Sequence, residues 1–141
     1  MKYSIIIVLL LITFTSCSTI RPVENENEVQ KIVIIWVPNE KLRKDEIRID
    51  IEDKGRIDAI IARINNSKQV KATKIPFLKL VEGHYYFEIY YINGYKKLEV
   101  FGDGTYITDS NESAFFKNTE IYFFIQQFLY FEYMKKGIVI K

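Results

Sequence analysis

Residues of the types that perform covalent or acid–base chemistry are few in this sequence of 141 residues. It contains one cysteine, Cys17, and one histidine, His84. A single histidine cannot build the multi-histidine sites that hold catalytic zinc. Motifs for phosphate-binding loops, serine hydrolases, zinc proteases and dithiol redox centres are missing from the sequence. We interpret His84 as an ordinary residue at the start of a strand, and we expect no metal and no cofactor.

Cys17 stands in a setting that suggests a use for its thiol. Lys2 is followed by an apolar run at residues 4–12. That run is too short for a membrane-spanning helix, which needs about 20 apolar residues, but it has the size of the core of a signal peptide. Because no other cysteine exists, Cys17 has no partner for an intramolecular disulfide.

Residues 14–17 resemble the lipobox of precursors that are cut by lipoprotein signal peptidase. Thr15, Ser16 and Cys17 match that pattern, whereas Phe14 replaces the usual aliphatic residue. The resemblance implies that Cys17 carries a diacylglycerol and becomes the first residue after cleavage. Since one acyl chain binds a membrane only marginally and two hold it stably, it implies a membrane-anchored lipoprotein of the cell envelope. In the proteobacterial members, a residue other than Asp after the cysteine, here Ser18, is compatible with the outer membrane.

We therefore divide the chain into a signal peptide at residues 1–16, a lipidated cysteine with a flexible tether at 17–29, and a single domain at 30–141. The tether is predicted because residues 18–28 are polar and include Pro22. A hydrophobic content of 48% and a charged content of 27% are typical of a globular protein. The net charge of +2 gives no support for binding to nucleic acid.

Hydrophobic periodicity predicts an α+β domain. We expect an antiparallel sheet of about five to six strands, one amphipathic helix after the first two strands, and a C-terminal helix. The first helix, Lys54 to Asn65, is predicted from an isoleucine stripe and from Asp53 as its N-cap. We predict strands at residues 30–37, 47–52, 77–82, 84–92, 95–101 and 105–108, and a short last strand at 138–140.

The segment at residues 118–136 is apolar enough to be a strand, but its length and its polar ends favour a helix. As a helix it has two sides. The predicted buried side carries Ile121, Phe124, Ile125, Phe128, Leu129 and Phe131, and the opposite side carries Tyr122, Gln126, Gln127, Tyr130 and Tyr133. Glu132 fits this division badly, because it projects toward the apolar side.

The Asn-Gly pair at residues 93–94 is a strong hairpin signal, because both residues tolerate the positive φ of a type I′ turn. A two-residue turn there places Glu88 directly opposite Glu99. The functional interpretation is a carboxylate pair that serves a hydrolase as general acid and its partner. The alternative is a solvent-exposed pair whose repulsion is eased by the diagonal neighbour Lys97.

The same hairpin predicts two faces, since side chains alternate along a strand. The expected core face carries Phe87, Ile89, Leu98 and Val100. The other face carries four aromatic residues, Tyr86, Tyr90, Tyr95 and Phe101. We interpret these rings as a contact surface for an envelope protein or glycan, since aromatic side chains are enriched in interfaces. The alternative is that a helix covers this face and makes the rings part of the core.

Residues 63–79 contain five basic side chains and no acidic ones. We predict that Lys68, Lys71, Lys74 and Lys79 contact anionic lipid headgroups or an acidic partner. The alternative is a solvated loop. Taken together, the sequence favours a non-enzymatic binding module on a lipid anchor, with a hydrolase that uses Glu88 and Glu99 as the alternative.

Overall fold

The computed structural model describes residues 20–37, 46–74, 84–101, 105–109, 111 and 113–135. Within these ranges the chain forms one antiparallel sheet of seven strands and two α-helices. The strands are β1 (Val29–Val37), β2 (Ile47–Ile51), β3 (Lys68–Val70), β4 (His84–Tyr91), β5 (Gly94–Phe101), β6 (Tyr106–Asp109) and β7 (Phe115–Lys117), and the helices are α1 (Lys54–Asn65) and α2 (Ile121–Lys135). The predicted α+β class is confirmed, with slightly more strands than expected.

Helix α1 has the bounds that the sequence predicts. The Asp53 side chain accepts a hydrogen bond from the backbone N–H of Arg56 at 2.9 Å, so it caps the first turn. The isoleucine stripe faces the sheet, and all four of its members are buried: Ile57, Ile60, Ile61 and Ile64. Helix start and helix face were therefore both set by local sequence.

The strands lie in the order β2-β1-β4-β5-β6-β7-β3, and every neighbouring pair is antiparallel. Helix α1 carries the chain from β2 at one edge to β3 at the opposite edge. The sequence analysis missed β3 and β7, because each has three residues and shows no period of its own. The strands predicted at 77–82 and 138–140 lie outside the described residues.

Both helices pack on the same face of the sheet. The four residues predicted as the core face of the β4–β5 hairpin are buried there in one cluster with both helices. Other strands add Ile32, Ile34, Ile49, Ile51, Ile107 and Phe116 to this cluster. Because α1 and α2 share one face of the sheet, neither helix covers the opposite face.

Helix α2 confirms the predicted C-terminal helix, but its orientation differs from the prediction. Ile121, Ile125 and Leu129 are buried as expected. Phe131, which was predicted on the buried side, is 63% exposed. Tyr122 and Gln126, predicted on the opposite side, both contact Tyr85 on the sheet. The reason is that Tyr85, stacked on Trp36, accepts a hydrogen bond from the side-chain amide of Gln126 and makes an edge-to-face ring contact with Tyr122. Burial raises the pKa of Tyr85 to about 12.

Glu132 is accommodated in the helix by ion pairs. Its carboxylate lies 2.7 Å from a guanidinium nitrogen of Arg56 on α1 and 3.2 Å from the ammonium of Lys135. The sequence could not reveal the first of these partners, which lies on the other helix. The predicted conflict at Glu132 is therefore resolved by contact between the helices.

The turn between β4 and β5 differs from the prediction. Tyr91 pairs with Gly94, so the turn residues are Ile92 and Asn93. Among the described residues, Asn25 is the non-glycine residue with positive φ, and so the turn is not of type I′. The N–H of Ile92 instead bonds to a carbonyl in the segment that precedes β1.

The register of the hairpin is consequently shifted by two residues. Glu88 lies opposite Lys97 instead of Glu99, and Tyr90 lies opposite Tyr95. A pair of opposite charges thus replaces the predicted like-charge pair, and this difference favours the observed register. Because the side-chain period is two, the shift leaves every residue on its predicted face.

The segment before β1 packs against the domain, although the sequence predicts a flexible tether up to residue 29. Val23 is fully buried. Its N–H and carbonyl both bond at 2.9 Å to the side-chain amide of Asn65, at the end of α1. The same amide donates to Glu26, in a short 3-10 helix at Glu26–Glu28. The part of the predicted tether that begins with buried Pro22 is therefore packed.

Replacing Asn65 with alanine should detach this segment. We expect Asn65→Ala to lower the free energy of unfolding by about 1–3 kcal/mol, because it leaves the buried N–H of Val23 without a partner. The measurement is urea unfolding followed by circular dichroism. The neighbouring exposed residue provides the control, Asn66→Ala, which should cost less than about 0.5 kcal/mol. Equal effects of the two substitutions would contradict the assigned role of Asn65.

Candidate functional site

The aromatic face is the side of the sheet opposite the two helices. The structure places all four predicted partner-binding residues on it, since they alternate with the buried residues of β4 and β5. They are Tyr86, Tyr90, Tyr95 and Phe101. Tyr95 is 53% exposed, and the other three are partly exposed. Neither described helix covers these rings, so the alternative of a helix-covered face does not hold for the described residues.

Two apolar residues of β1 on the aromatic face are nevertheless buried. Val33 is 1% exposed and Ile35 is 3% exposed. Ile35 lies opposite Arg48 on β2, and Val33 lies opposite Glu88 on β4. A guanidinium nitrogen of Arg48 bonds to a carboxylate oxygen of Glu88 at 2.7 Å. This ion pair reaches from β2 to β4 across β1, on the side of the sheet that carries these two apolar side chains.

Glu88 is held by more than one donor. Besides Arg48, the Tyr90 hydroxyl donates to its carboxylate at 3.0 Å, and Lys97 is its cross-strand neighbour. The hydrogen bond to Glu88 raises the pKa of Tyr90. Only 12% of the Glu88 side chain is exposed. Its negative charge is therefore matched by neighbouring groups that belong to the domain.

The carboxylate pair of the sequence analysis is not formed as predicted. Glu99 lies opposite Tyr86 on β4 and opposite Thr108 on β6. It shares the aromatic face with Glu88 but does not stand directly across from it. Within the described ranges, no group of three or more metal-ligating side chains comes together.

Two of the tyrosine rings lie beside lysine ammonium groups. The Nζ atom of Lys97 is 4.1 Å from the centroid of the Tyr86 ring, and that of Lys31 is 5.9 Å from the Tyr90 ring. The Tyr90 and Tyr95 rings contact each other, with centroids 5.4 Å apart. Cations are attracted to the faces of aromatic rings. The ring surface at β4 and β5 is thus interleaved with positive charge.

Phe101 belongs to a second group of rings that the sequence analysis did not find. Its centroid is 5.7 Å from that of Tyr106 on β6 and 6.1 Å from that of Phe115 on β7. The sequence signal for this group was weak, because the three rings meet only through the pairing of β5 with β6 and of β6 with β7. The aromatic face therefore extends over more strands than predicted.

The predicted basic segment is described only in part. Lys68 and Lys71 are exposed, and Lys68 lies opposite Lys117 on β7. The side chain of Lys74 and the whole of Lys79 lie outside the described residues, as does the side chain of His84. Contact of this segment with an anionic surface remains a prediction.

Comparisons of the chain with family models, with curated proteins and with solved structures find no match. Of the helices within the described ranges, none has the length and apolar character needed to cross a membrane. The function is therefore inferred from the sequence and the structure of this protein.

The ion pair between Arg48 and Glu88 should stabilise the aromatic face. We expect Arg48→Met to lower the free energy of unfolding by about 1–3 kcal/mol, since it removes the strongest donor to a largely buried carboxylate. Urea unfolding of the wild-type protein and of the variant measures this change in the free energy of unfolding. Arg48 also pairs at 2.8 Å with exposed Glu46, so Glu46→Gln is the matched control and should cost about 0.5 kcal/mol or less. A loss of similar size in both variants would show that the bridge across β1 contributes nothing specific.

Proposed function

We propose that the protein is a lipid-anchored cell-envelope protein that acts as a binding module and not as an enzyme, and that it contacts another protein through its aromatic face. The single observation that carries the binding role is that this face presents tyrosine and phenylalanine rings while both described helices pack on the other face. The anchor is supported by the resemblance of residues 14–17 to a lipobox.

A polypeptide is favoured over a glycan as the partner. Stacking of a sugar needs a ring face that is open, but cations already lie beside the rings of Tyr86 and Tyr90. Interfaces between proteins combine aromatic anchors with surrounding charged groups. Lys31, Arg48, Lys97 and Glu88 provide such groups around the tyrosines.

The alternative of a hydrolase is not favoured by the geometry of its two carboxylates. A general acid and its partner must flank the same bond of the substrate, but Glu88 lies opposite Lys97 and Glu99 lies opposite Tyr86. The carboxylate of Glu88 is also already engaged, because Arg48 and Tyr90 both donate to it.

Lipidation of Cys17 should be visible in the mature protein. In the producing cells, we expect labelled palmitate to enter the wild-type chain and to be absent from the Cys17→Ser variant. Mass spectrometry of the mature protein should find residue 17 at the N-terminus with lipid on it. A free thiol at residue 17, in a chain that has been exported and cut, would contradict the anchor.

The aromatic face can be tested in the cell by site-specific photocrosslinking. A photoreactive phenylalanine in place of Tyr95 should give an adduct with a defined protein. The same group in place of Lys54 at the start of α1 is the matched control, because its side chain is 55% exposed and it lies outside both the aromatic face and α2. We expect the adduct to be lost from the Tyr95 position when Tyr90→Ala is added, since loss of an aromatic anchor costs about 2 kcal/mol or more.

Three results would contradict the proposal. Identical adducts at both positions would indicate contact without specificity. The absence of an adduct at position 95 would argue against a protein on this face. An adduct that contains glycan instead of protein would replace the proposed partner with the alternative one.

A further inference from the structure

The side of α2 that faces away from the sheet is largely apolar, and Gln127 is the exposed polar residue within it. It carries Phe123, Tyr130, Phe131 and Met134, which we name the apolar stripe. These four side chains are between 54% and 68% exposed. The helix therefore presents hydrophobic residues both to the core and to its surroundings, whereas a helix on the surface of a soluble domain normally has a polar outer side.

The size of the apolar stripe limits what can cover it. An aromatic side chain has an accessible area of about 150–250 Å², so the exposed part of the stripe amounts to roughly 400–500 Å². Two copies of the chain that met through it would bury roughly 800–1,000 Å² in total, which is below the roughly 1,200 Å² of a stable specific interface. A second copy is therefore a poor occupant.

The N-terminal segment joins the domain close to the start of α2. Val23 is bound to Asn65 at the end of α1. Asn118, three residues before α2, donates to the backbone carbonyl of Arg63 at 2.9 Å and to Ser67 at 3.1 Å. The end of α1 is thus shared by the arriving chain and by the start of α2.

The chain between the proposed anchor and the domain is short. Residues 18–21 separate Cys17 from Pro22, which is buried. Fully extended, the five steps from Cys17 to Pro22 span at most about 18 Å. A bilayer that holds lipids on Cys17 is therefore within reach of the helix layer. Ile20, in this short connection, is itself 52% exposed.

We infer that the apolar stripe of α2 rests in the interface of the same bilayer that holds the lipids of Cys17. This inference rests on the proposed lipid anchor. Tyrosine, phenylalanine and methionine are suited to the boundary between headgroups and acyl chains. Arg63 and Arg56 on α1 form ion pairs with Glu120 and Glu132, and they add positive charge to the layer of helices that would face anionic headgroups.

This arrangement also determines which way the aromatic face points relative to the membrane. Since both helices lie on one side of the sheet, a bilayer beneath α2 leaves the aromatic face turned away from the membrane. The basic segment is the competing membrane contact. However, Lys68 aligns with Lys117 and Tyr106, on the side of the sheet that bears the aromatic face.

The test uses the full-length chain, produced in cells, purified in its mature form and reconstituted in vesicles of phosphatidylcholine and phosphatidylglycerol. Cys17 is the only cysteine, so each variant with one added cysteine has a single free thiol when Cys17 is lipidated. Spin labels are placed through Phe131→Cys and Met134→Cys on the stripe. The matched control is Ile92→Cys, at a residue that is 59% exposed and lies away from the stripe. A further variant, Lys71→Cys, probes the basic segment.

We expect labels at 131 and 134 to collide with a water-soluble nickel chelate several-fold less often than the label at 92, and with oxygen dissolved in the bilayer several-fold more often. Equal nickel accessibility at 92, 131 and 134 would overturn the inference. Protection of the label at 71 but not at 131 would assign the bilayer contact to the basic segment. Strong dipolar coupling between labels at 131 would identify a second copy on the stripe.

Labelling stoichiometry separates failure of this inference from failure of the proposed anchor. One label per chain shows that Cys17 is blocked, so an accessible stripe then counts against the inference alone. Two labels per chain show that Cys17 is a free thiol, which would overturn the anchor and with it the inference.

Discussion

Strand β1 is apolar on both sides, while the two described helices cover one side of the sheet only. Ile32 and Ile34 pack against the helices, but Val33 and Ile35 point the other way and are equally buried. Among the described residues, the groups placed to exclude water from the second side are side chains of the sheet itself. The ion pair from Arg48 to Glu88 crosses β1 on that side, and the hydrocarbon stems of its two charged residues add apolar surface there. The position of this ion pair determines which contacts the neighbouring side chains of β4 and β5 make.

The charged and aromatic side chains on this side of β1, β4 and β5 affect how the surface can recognise a partner. Glu88 binds Tyr90 as well as Arg48, and Lys97 lies over Tyr86, so the rings and charges hold one another in place. A surface whose side chains are already fixed loses little rotamer freedom when a partner binds. A partner that took Lys97 or Lys31 away from its ring would have to offer an attraction of its own, such as a carboxylate. The same layer weakens the case for catalysis, because Arg48 and Tyr90 already occupy the carboxylate of Glu88 that a hydrolase would need for its substrate.

Local patterns in the sequence predicted the elements but not their contacts. The isoleucine spacing and Asp53 gave α1 with the correct ends, and alternation assigned the residues of β4 and β5 to the correct faces. The pairing register of β4 with β5 could not be predicted from these local patterns. Both possible turns leave the core face unchanged, so the burial pattern cannot distinguish them, and the pairing of Glu88 with Lys97 is seen only in the structure.

Contacts between residues far apart in sequence account for the other differences. Val23 is fixed by Asn65, which is 42 residues away, and no local pattern distinguishes such a segment from a flexible tether. The side of α2 that faces the sheet carries Gln126, which bonds to Tyr85 of β4. β3 and β7 stabilise each other as an edge pair, although each has only three residues.

The apolar stripe need not bind a membrane strongly to be occupied in the proposed arrangement. A lipid on Cys17 would hold Pro22 within about 18 Å of the bilayer, so contact of the stripe with the bilayer becomes an intramolecular event at a high effective concentration. Under that condition a patch too small for a stable dimer is large enough to orient a tethered domain. The packing of Pro22 and Val23 makes this possible, because a tether that was flexible up to residue 29 would more than double the free length and weaken the coupling. The bond between Asn65 and Val23 thus links the fold of the domain to the direction in which its aromatic face points.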